Sequence, residues 1–156
     1  MFGVKFAMTI VKNLVKNFDD RHGYKPSFVV LHITDDLNLQ RVLNTFNSSM
    51  EEKSSHYLVL ETGTVYQLVE EELNAWCNGA KVNPTSIMVK NLPSDVNTNW
   101  LSISIETMAI ANKEPNNLQY ESLSHLVKDI CQRNNIPIDR DHIIGHREIR
   151  ADKVCP

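Results

Sequence analysis

The residues whose types could do chemistry together are concentrated near the end of the sequence. His146, Lys153 and Cys155 fall within ten positions of one another. An imidazole nitrogen and a thiolate sulfur are both zinc ligands, and a lysine adds a positive charge beside them. A catalytic zinc site usually takes three protein ligands and keeps one position open. The stretch therefore predicts part of a zinc site whose third ligand comes from elsewhere in the chain.

His32 is the candidate for that third ligand. It follows the apolar run at residues 28–31, which is typical of a buried strand, and a lone histidine there is usually a hydrogen-bonded core residue. Taken with His146 and Cys155, it completes a two-histidine, one-cysteine set that suits catalytic zinc. The open position of such a site holds a water molecule whose pKa the metal lowers towards ~7.

Two charged residues are placed to assist such a metal. Lys153 lies two positions before Cys155, and on an extended segment these side chains project to the same side. Its ammonium could stabilise a developing oxyanion, or it is an ordinary surface lysine. Glu106 ends an alternating apolar strand pattern at residues 101–106, where its carboxylate could act as a general base or be a solvated strand end.

Four further residues are candidates with open alternatives. Tyr66, on a predicted strand, either donates a hydrogen bond at the site or packs. His56 competes as a metal ligand, although a hydrogen-bonded structural role near the site suits it better. Cys77 beside Trp76 either lines the cleft or is a small buried hydrophobe.

These residues need a scaffold that brings distant positions together. Strands and helices are mixed without strict alternation, which predicts a mixed α/β fold with one central mixed β-sheet flanked by helices. The helix after His32 is expected to be capped by Asp35 or Asp36, and the long helix near the C-terminus by Asn116 or Asn117. The predicted strands span residues 28–33, 55–60, 64–69 and 101–106, and the predicted helices span residues 37–46 and 118–134.

Two connections carry further expectations. Gly63 joins two alternating runs, which predicts a hairpin. Residues 76–100 contain prolines and asparagines without periodicity, and an irregular segment of this length inside a compact domain is usually functional. We expect it to form a wall that contacts the substrate.

Composition limits the classes of function. The 156 residues are 42% hydrophobic and 22% charged, as expected for a single domain over residues 1–156, with residues 1–9 as an N-terminal extension. A net charge of −3 without a basic cluster gives no reason to expect a nucleic-acid partner, and no apolar run is long enough for a membrane span. The three cysteines cannot all pair, and no signal peptide is recognisable, so we expect thiols that are free or metal-bound.

Motifs along nearly the whole chain, from about residue 10 to residue 156, resemble the zinc-dependent N-acetylmuramoyl-L-alanine amidases of type 2. That family includes phage endolysins, bacterial autolysins and animal peptidoglycan-recognition proteins. Its motifs recur here in the family's order. They are Val29–His32, Ser55–Val59, Gly63–Val69, Ala75–Trp76, Asn99 with Ser102–Glu106, Gly145–His146 and Lys153–Pro156.

The resemblance implies a mixed sheet flanked by helices, with zinc in a surface groove. Two departures from the family pattern matter. Cys77 stands where a histidine is common, which puts the contacts there in doubt, and Ser104 stands where a glycine is common. Because Cys155 is retained, we expect a catalytic member. The family's roles fall on His32, His146 and Cys155 as ligands, Glu106 as catalytic acid, Lys153 as conserved cation and Tyr66 as a tyrosine beside the metal.

The function implied is hydrolysis of the amide between N-acetylmuramic acid and L-alanine of the stem peptide, with one Zn²⁺ per chain. The expected substrate is bacterial peptidoglycan or a muropeptide, contacted by Trp76, Cys77 and His56. We expect a monomer made in the cytoplasm that acts on the cell wall after release, with a wall-binding domain outside this chain. The rivals are a non-catalytic peptidoglycan-recognition module and a structural zinc domain with His56 as a fourth ligand.

Overall fold

The computed structural model describes residues 8–155, so most of the expected N-terminal extension lies outside the described part of the chain. Within that part, the chain forms eight strands and four helices. In chain order these are β1 (Ile10–Lys12), β2 (Phe18–Asp20), β3 (Phe28–Ile33), α1 (Leu39–Asn47), β4 (Tyr57–Val59), β5 (Val65–Gln67), β6 (Leu73–Ala75), α2 (Ile87–Lys90), α3 (Thr98–Leu101), β7 (Ser102–Thr107), α4 (Asn117–Asn134) and β8 (Ile143–Gly145), followed by a 3-10 turn at His146–Glu148.

Six of the strands form a mixed sheet in the order β1-β5-β4-β7-β3-β8. The β4–β5 pair is antiparallel and every other pair in this sheet is parallel. Strands β2 and β6 form a separate antiparallel pair. The predicted mixed α/β fold is confirmed. Strand β3 is buried, as its apolar run indicated, with Phe28, Val29 and Val30 fully buried, but it lies between β7 and the edge strand β8 and not at the centre of the sheet.

The register of the sheet places four side chains in one row. Tyr66 of β5 pairs with Leu58 of β4, Leu58 pairs with Glu106 of β7, and Glu106 pairs with His32 of β3. Directly paired residues project from the same face of a sheet. On the far side of β3, Gly145 pairs with Leu31, so the chain leaves β8 beside His32. The sheet therefore sets Glu106 next to His32 and delivers residue 146 to the same place.

Helices cover the two faces of the sheet. On the face of the row, α1 packs Val42 and Phe46 against a cluster that includes Leu58, whereas α4 packs Leu126 and Ile130 against the opposite face. Helix α1 therefore lies on the same face of the sheet as the row, and α4 lies on the other face. The polar residues of the row occupy the part of their face that α1 does not cover. Within residues 8–155, no helix is long and apolar enough to cross a membrane.

The helix caps show one success and one error of sequence reasoning. Asn116 caps α4 through a capping box with Gln119, as expected for one of two asparagines. The cap of α1 is Asn38, whose side chain accepts from the Arg41 amide, so the expectation of Asp35 or Asp36 was wrong. Asp36 instead accepts hydrogen bonds from the Asn38 amide and the Arg41 guanidinium, just before the helix begins.

The predicted hairpin is confirmed as β4 and β5. Gly63 lies in its turn with φ of +81°, a conformation that favours glycine. A Cβ at this position would lie 3.0 Å from the Ser122 Oγ of α4, so packing against the long helix also requires a glycine here.

Candidate metal centre

The structure brings His32, His146 and Cys155 together. One ligand atom from each lies within 4.8 Å of the others, and His146 Nδ1 is 3.0 Å from Cys155 Sγ. Zinc–nitrogen bonds of ~2.0 Å and zinc–sulfur bonds of ~2.3 Å in a tetrahedron hold neighbouring ligand atoms roughly 3.3–3.6 Å apart. The spacing of the three atoms fits a zinc ion with little adjustment.

Both imidazoles are held in the form that can ligate a metal. His32 Nε2 is 3.1 Å from Asn78 Oδ1, and His146 Nε2 is 2.8 Å from the Asn78 backbone oxygen. An oxygen acceptor at Nε2 requires the proton on Nε2, which leaves the lone pair on Nδ1. Burial lowers the pKa of both histidines, so the rings are neutral at neutral pH. A neutral imidazole with a free Nδ1 is the metal-binding form.

Glu106 lies beside this centre as a half-buried residue whose Oε2 is inaccessible. Its Oε1 is 3.7 Å from Cys77 Sγ, which is a weak donor, and its buried Oε2 has no hydrogen-bond partner among the described residues. Burial raises the pKa of Glu106 to about 7, and the Cys77 hydrogen bond opposes that shift. A carboxyl group with a pKa near neutrality can both take and return a proton.

A second set of possible ligands overlaps the first. One atom each from His32, Cys77 and Glu106 also lies within 4.8 Å of the others. The two thiols differ in their surroundings. Burial and the Glu106 charge raise the pKa of Cys77 well above its usual value. Burial also raises the pKa of Cys155, but the Ile33 amide and the Lys153 ammonium oppose that rise. Cys155 is therefore the thiol better prepared to ligate as a thiolate.

These groups open into a cavity of about 490 Å³. Its walls come from the end of β3, from α1, from residues 51–54 and from the C-terminal segment. Lys153 lines this cavity, and its ammonium has no hydrogen-bond or ion-pair partner within the part of the chain that the structure describes. The residues lining the cavity near the metal centre are His32, Ile33, Thr34, Trp76, Cys77, Glu106, His146, Lys153, Val154 and Cys155.

The irregular segment contributes less to this wall than expected. Of residues 76–100, only Trp76 and Cys77 line the cavity, and the remainder forms α2, α3 and their connections. The Trp76 ring is oriented by a hydrogen bond from Nε1 to Asp19 Oδ1 at 2.9 Å. The wall that sequence reasoning assigned to this segment is supplied instead by Val42, Thr45 and Phe46 of α1.

Two predicted site residues lie away from the cavity lining. His56 is fully buried, with Nδ1 accepting from the Ser104 amide at 3.0 Å and Nε2 3.1 Å from the Leu73 carbonyl. The ring therefore has no exposed surface with which to contact a substrate, and its hydrogen bonds agree with the structural role that the sequence favoured for His56. Tyr66 shares the row of Glu106, but Leu58 separates the two, and Tyr66 packs against the apolar cluster beneath α1.

Sequence reasoning missed Asn78, which contacts both histidines. A neighbouring asparagine supports it, because Asn99 Oδ1 accepts hydrogen bonds from the Asn78 amide at 2.8 Å and the Cys77 amide at 3.3 Å. Asn99 belongs to a motif that the family resemblance singled out. Asn78 carried no comparable signal beyond its place next to Cys77.

Comparison with solved structures supports the same fold. A selenomethionine derivative of AmpD aligns with a TM-score of 0.74 at 18% identity, covering 95% of this chain and 87% of that chain. PlyL aligns with a TM-score of 0.70 at 23% identity, covering 96% and 87% of the two chains. The N-acetylmuramoyl-L-alanine amidase LysC from Clostridium intestinale URNW aligns with a TM-score of 0.65 at 17% identity, covering 96% and 89%.

Sequence comparison identifies the family. No curated protein sequence matches the chain in a direct search. The sequence model of a family described as N-acetylmuramoyl-L-alanine amidase matches residues 22–156, which include all three candidate ligands, Glu106 and Lys153. The match covers well over half of the sequence, and the chain therefore belongs to the N-acetylmuramoyl-L-alanine amidase family.

Proposed function

We propose that this chain cleaves the amide between N-acetylmuramic acid and L-alanine in peptidoglycan, with one zinc ion held by His32, His146 and Cys155. Peptidoglycan amidase activity is the function of the family to which the chain belongs. The observation that carries the zinc assignment is the convergence of two neutral imidazoles and one thiol, each with a ligand atom within 4.8 Å of the others. Zinc, when bound, supplies a Lewis acid that polarises the scissile carbonyl and lowers the pKa of water.

Glu106 is the proposed proton carrier. Its unpartnered Oε2 is free to accept the proton of the attacking water, and the same oxygen then returns that proton to the leaving amine of L-alanine. A pKa of about 7 suits both directions of transfer at neutral pH. The Cys77 thiol, kept neutral by burial and by the Glu106 charge, acts only as a weak donor to Oε1.

Lys153 is the proposed stabiliser of the negative charge that develops on the carbonyl oxygen. Its ammonium lines the cavity, and its positive charge lowers the pKa of His32, His146 and Cys155, which places it electrostatically within reach of the centre. A charge aimed at the developing oxyanion contributes more in the transition state than in the ground state. Trp76, with its ring fixed by Asp19, supplies a flat surface for the substrate beside the centre.

Replacing Glu106 by Gln tests this assignment. We expect the release of new amino groups from purified sacculi to fall by about 10²-fold or more, while one zinc ion per chain is retained. Near-normal release by the variant would refute the role of Glu106 as the base. A recognition module without catalysis would bind sacculi and release no amino groups even as the wild-type protein.

The remaining features of the proposal concern the whole protein. The family match over residues 22–156 supports one catalytic domain. We propose that it acts as a monomer on the cell wall after release from the cytoplasm, with wall binding assigned to a domain outside this chain. Comparing hydrolysis of intact sacculi with that of soluble muropeptides determines which form of the substrate is preferred.

A further inference from the structure

Asn78 is a buried residue that contacts both candidate histidine ligands. Its side chain is fully buried, its Oδ1 lies 3.1 Å from His32 Nε2, and its backbone oxygen lies 2.8 Å from His146 Nε2. We propose that Asn78 is a positioning residue that fixes the ligating nitrogen of both histidines. The proposal rests on the proposed function, because it assumes that these histidines bind zinc.

The orientation of the Asn78 amide is determined by its neighbours. Its Nδ2 donates to Thr98 Oγ1 at 3.3 Å and to Ser102 Oγ at 3.0 Å. A flipped amide would place an N–H group against the Nε2–H of His32, although its oxygen could still accept from the two hydroxyls. The Nε2–H that His32 carries when Nδ1 ligates a metal therefore favours the orientation with Oδ1 directed at the imidazole.

The backbone of Asn78 is held independently of its side chain. The Asn78 amide donates to Asn99 Oδ1 at 2.8 Å, and Asn99 is itself a buried residue of α3. Since the side-chain oxygen and the backbone oxygen belong to one residue, the same residue holds both imidazole rings in place. Acceptors that hold the second nitrogen of a ligating histidine set its tautomer and the direction of its ring, and their loss typically weakens metal binding 10–100-fold.

The two oxygens predict different consequences of mutation. Asn78→Ala removes the acceptor of His32 and keeps the carbonyl that holds His146. Asn78→Asp keeps an oxygen acceptor for His32, and the hydroxyls of Thr98 and Ser102 can rotate to donate to the second carboxylate oxygen. We expect zinc affinity, measured by competition with a chromophoric chelator, to fall about 10–100-fold for Asn78→Ala and to stay close to wild type for Asn78→Asp.

Asn17→Ala is the matched control for loss of a buried amide. Asn17 is buried, with 3% of its surface exposed against 0% for Asn78, and its Nδ2 donates to two carbonyl groups, those of Ser48 and Lys53. We expect this variant to lower the melting temperature of the zinc-free protein and to leave zinc affinity unchanged. Equal loss of zinc affinity in the control and in Asn78→Ala would show that Asn78 acts only through overall stability, and would overturn the proposal.

A measurement without zinc separates this proposal from the proposed function. In the zinc-free wild-type protein, ¹⁵N shifts of the His32 ring should report a single tautomer with the proton on Nε2, and Asn78→Ala should give a mixture. An unchanged tautomer in Asn78→Ala, or zinc affinity equal to wild type, would overturn the role of Asn78. Failure of the wild-type protein to bind zinc would instead refute the proposed function, and the ring shifts would still decide the role of Asn78.

Discussion

Two regions of the same sheet bury histidines, and they differ in what the ring nitrogens do. At the candidate metal centre, His32 and His146 each bond Asn78 through Nε2, and His146 Nδ1 lies 3.0 Å from Cys155 Sγ within the set of three possible ligands. At the His56 region, Nδ1 accepts from the Ser104 amide while Nε2 lies against the Leu73 carbonyl. Burial lowers the pKa in both regions. A lowered pKa therefore does not distinguish a ligand from a core histidine, whereas a ring nitrogen that faces other metal-binding groups and not the backbone does.

The charges around the two regions also differ. Arg21 places Nη2 2.9 Å from His56 Nε2, and burial lowers the pKa of this guanidinium only to about 10, so it stays charged. This positive charge touches the ring nitrogen and repels a metal ion there, whereas the Lys153 ammonium has no hydrogen bond to a candidate ligand among the described residues. The His32 region instead gathers the Cys155 thiol and the Glu106 carboxyl, both of which become anions that attract a cation. The comparison predicts separable effects of mutation in the two regions.

The largest separation is expected for zinc binding. His32→Ala removes a proposed ligand, and we expect zinc affinity to fall by more than about 100-fold, beyond the range typical of residues outside the ligand set. His56→Ala should leave the zinc affinity of the folded protein near wild type. Competition with a chelator measures the zinc affinity of both variants. Comparable losses in the two variants would break the comparison and favour a structural site with His56 as fourth ligand.

For the free energy of unfolding, in contrast to zinc affinity, a large effect is expected on mutation of His56. His56→Ala leaves the Ser104 amide and the Leu73 carbonyl without their partners in a fully buried position. Each buried group left unpaired costs about 1–3 kcal/mol, so loss of both partners should lower the free energy of unfolding by roughly 2–6 kcal/mol. Urea denaturation of zinc-free protein measures this loss. His142→Ala, which removes a contact with Asp139 near the surface, is the control and should lose less than about 1 kcal/mol.

The pH dependence of the free energy of unfolding tests the lowered pKa of His56. Burial and the neighbouring Arg21 lower the pKa of His56 from 6.5 to about 3 in the folded protein. Between these values the unfolded chain binds a proton that the folded chain does not, so stability falls as pH falls below 6.5. One such group contributes a slope of about 1.4 kcal/mol per pH unit. The slope for zinc-free His56→Gln should be smaller than the wild-type slope by about this amount, and identical slopes would contradict the assignment.

The smallest effect is expected at Cys77, and it distinguishes the two overlapping ligand sets. Cys77→Ala removes only a weak thiol donor to Glu106, so zinc affinity should change by less than about threefold. Cys155→Ala should weaken zinc binding as severely as loss of a histidine ligand. A large loss on mutation of Cys77 would show that the ion sits instead among His32, Cys77 and Glu106.

Sequence reasoning found the site residues that can be recognised from their residue type and from the pattern of their neighbours. His32 stands out because it follows an uninterrupted apolar run, and His146 and Cys155 because they combine two zinc-binding groups within a short stretch. Glu106 was found because it continues the alternation of its strand, and the register indeed sets it opposite His32. In each case a local pattern carried the information.

What was missed depends on contacts between distant parts of the chain. Asn78 looks like any asparagine in an irregular segment, and only the fold brings it between two histidines. The cavity wall formed by α1 follows from how that helix packs across the sheet, which its own periodicity does not reveal. Tyr66 shares the correct face of the sheet, but Leu58 separates it from Glu106, and it packs, partly buried, against the apolar cluster beneath α1.

The pairing of β3 with β7 and β8 has a consequence for how the protein folds. Both partners are parallel strands that come much later in the chain, so the contacts that create the site are of long range. Contacts of this kind form slowly, because a large loop must close before any pairing energy is gained. A chain in which β8 has not yet docked holds His32 without His146. The capacity to capture a metal ion is therefore acquired only when the sheet is complete, so a partly folded chain is expected to be an inactive one.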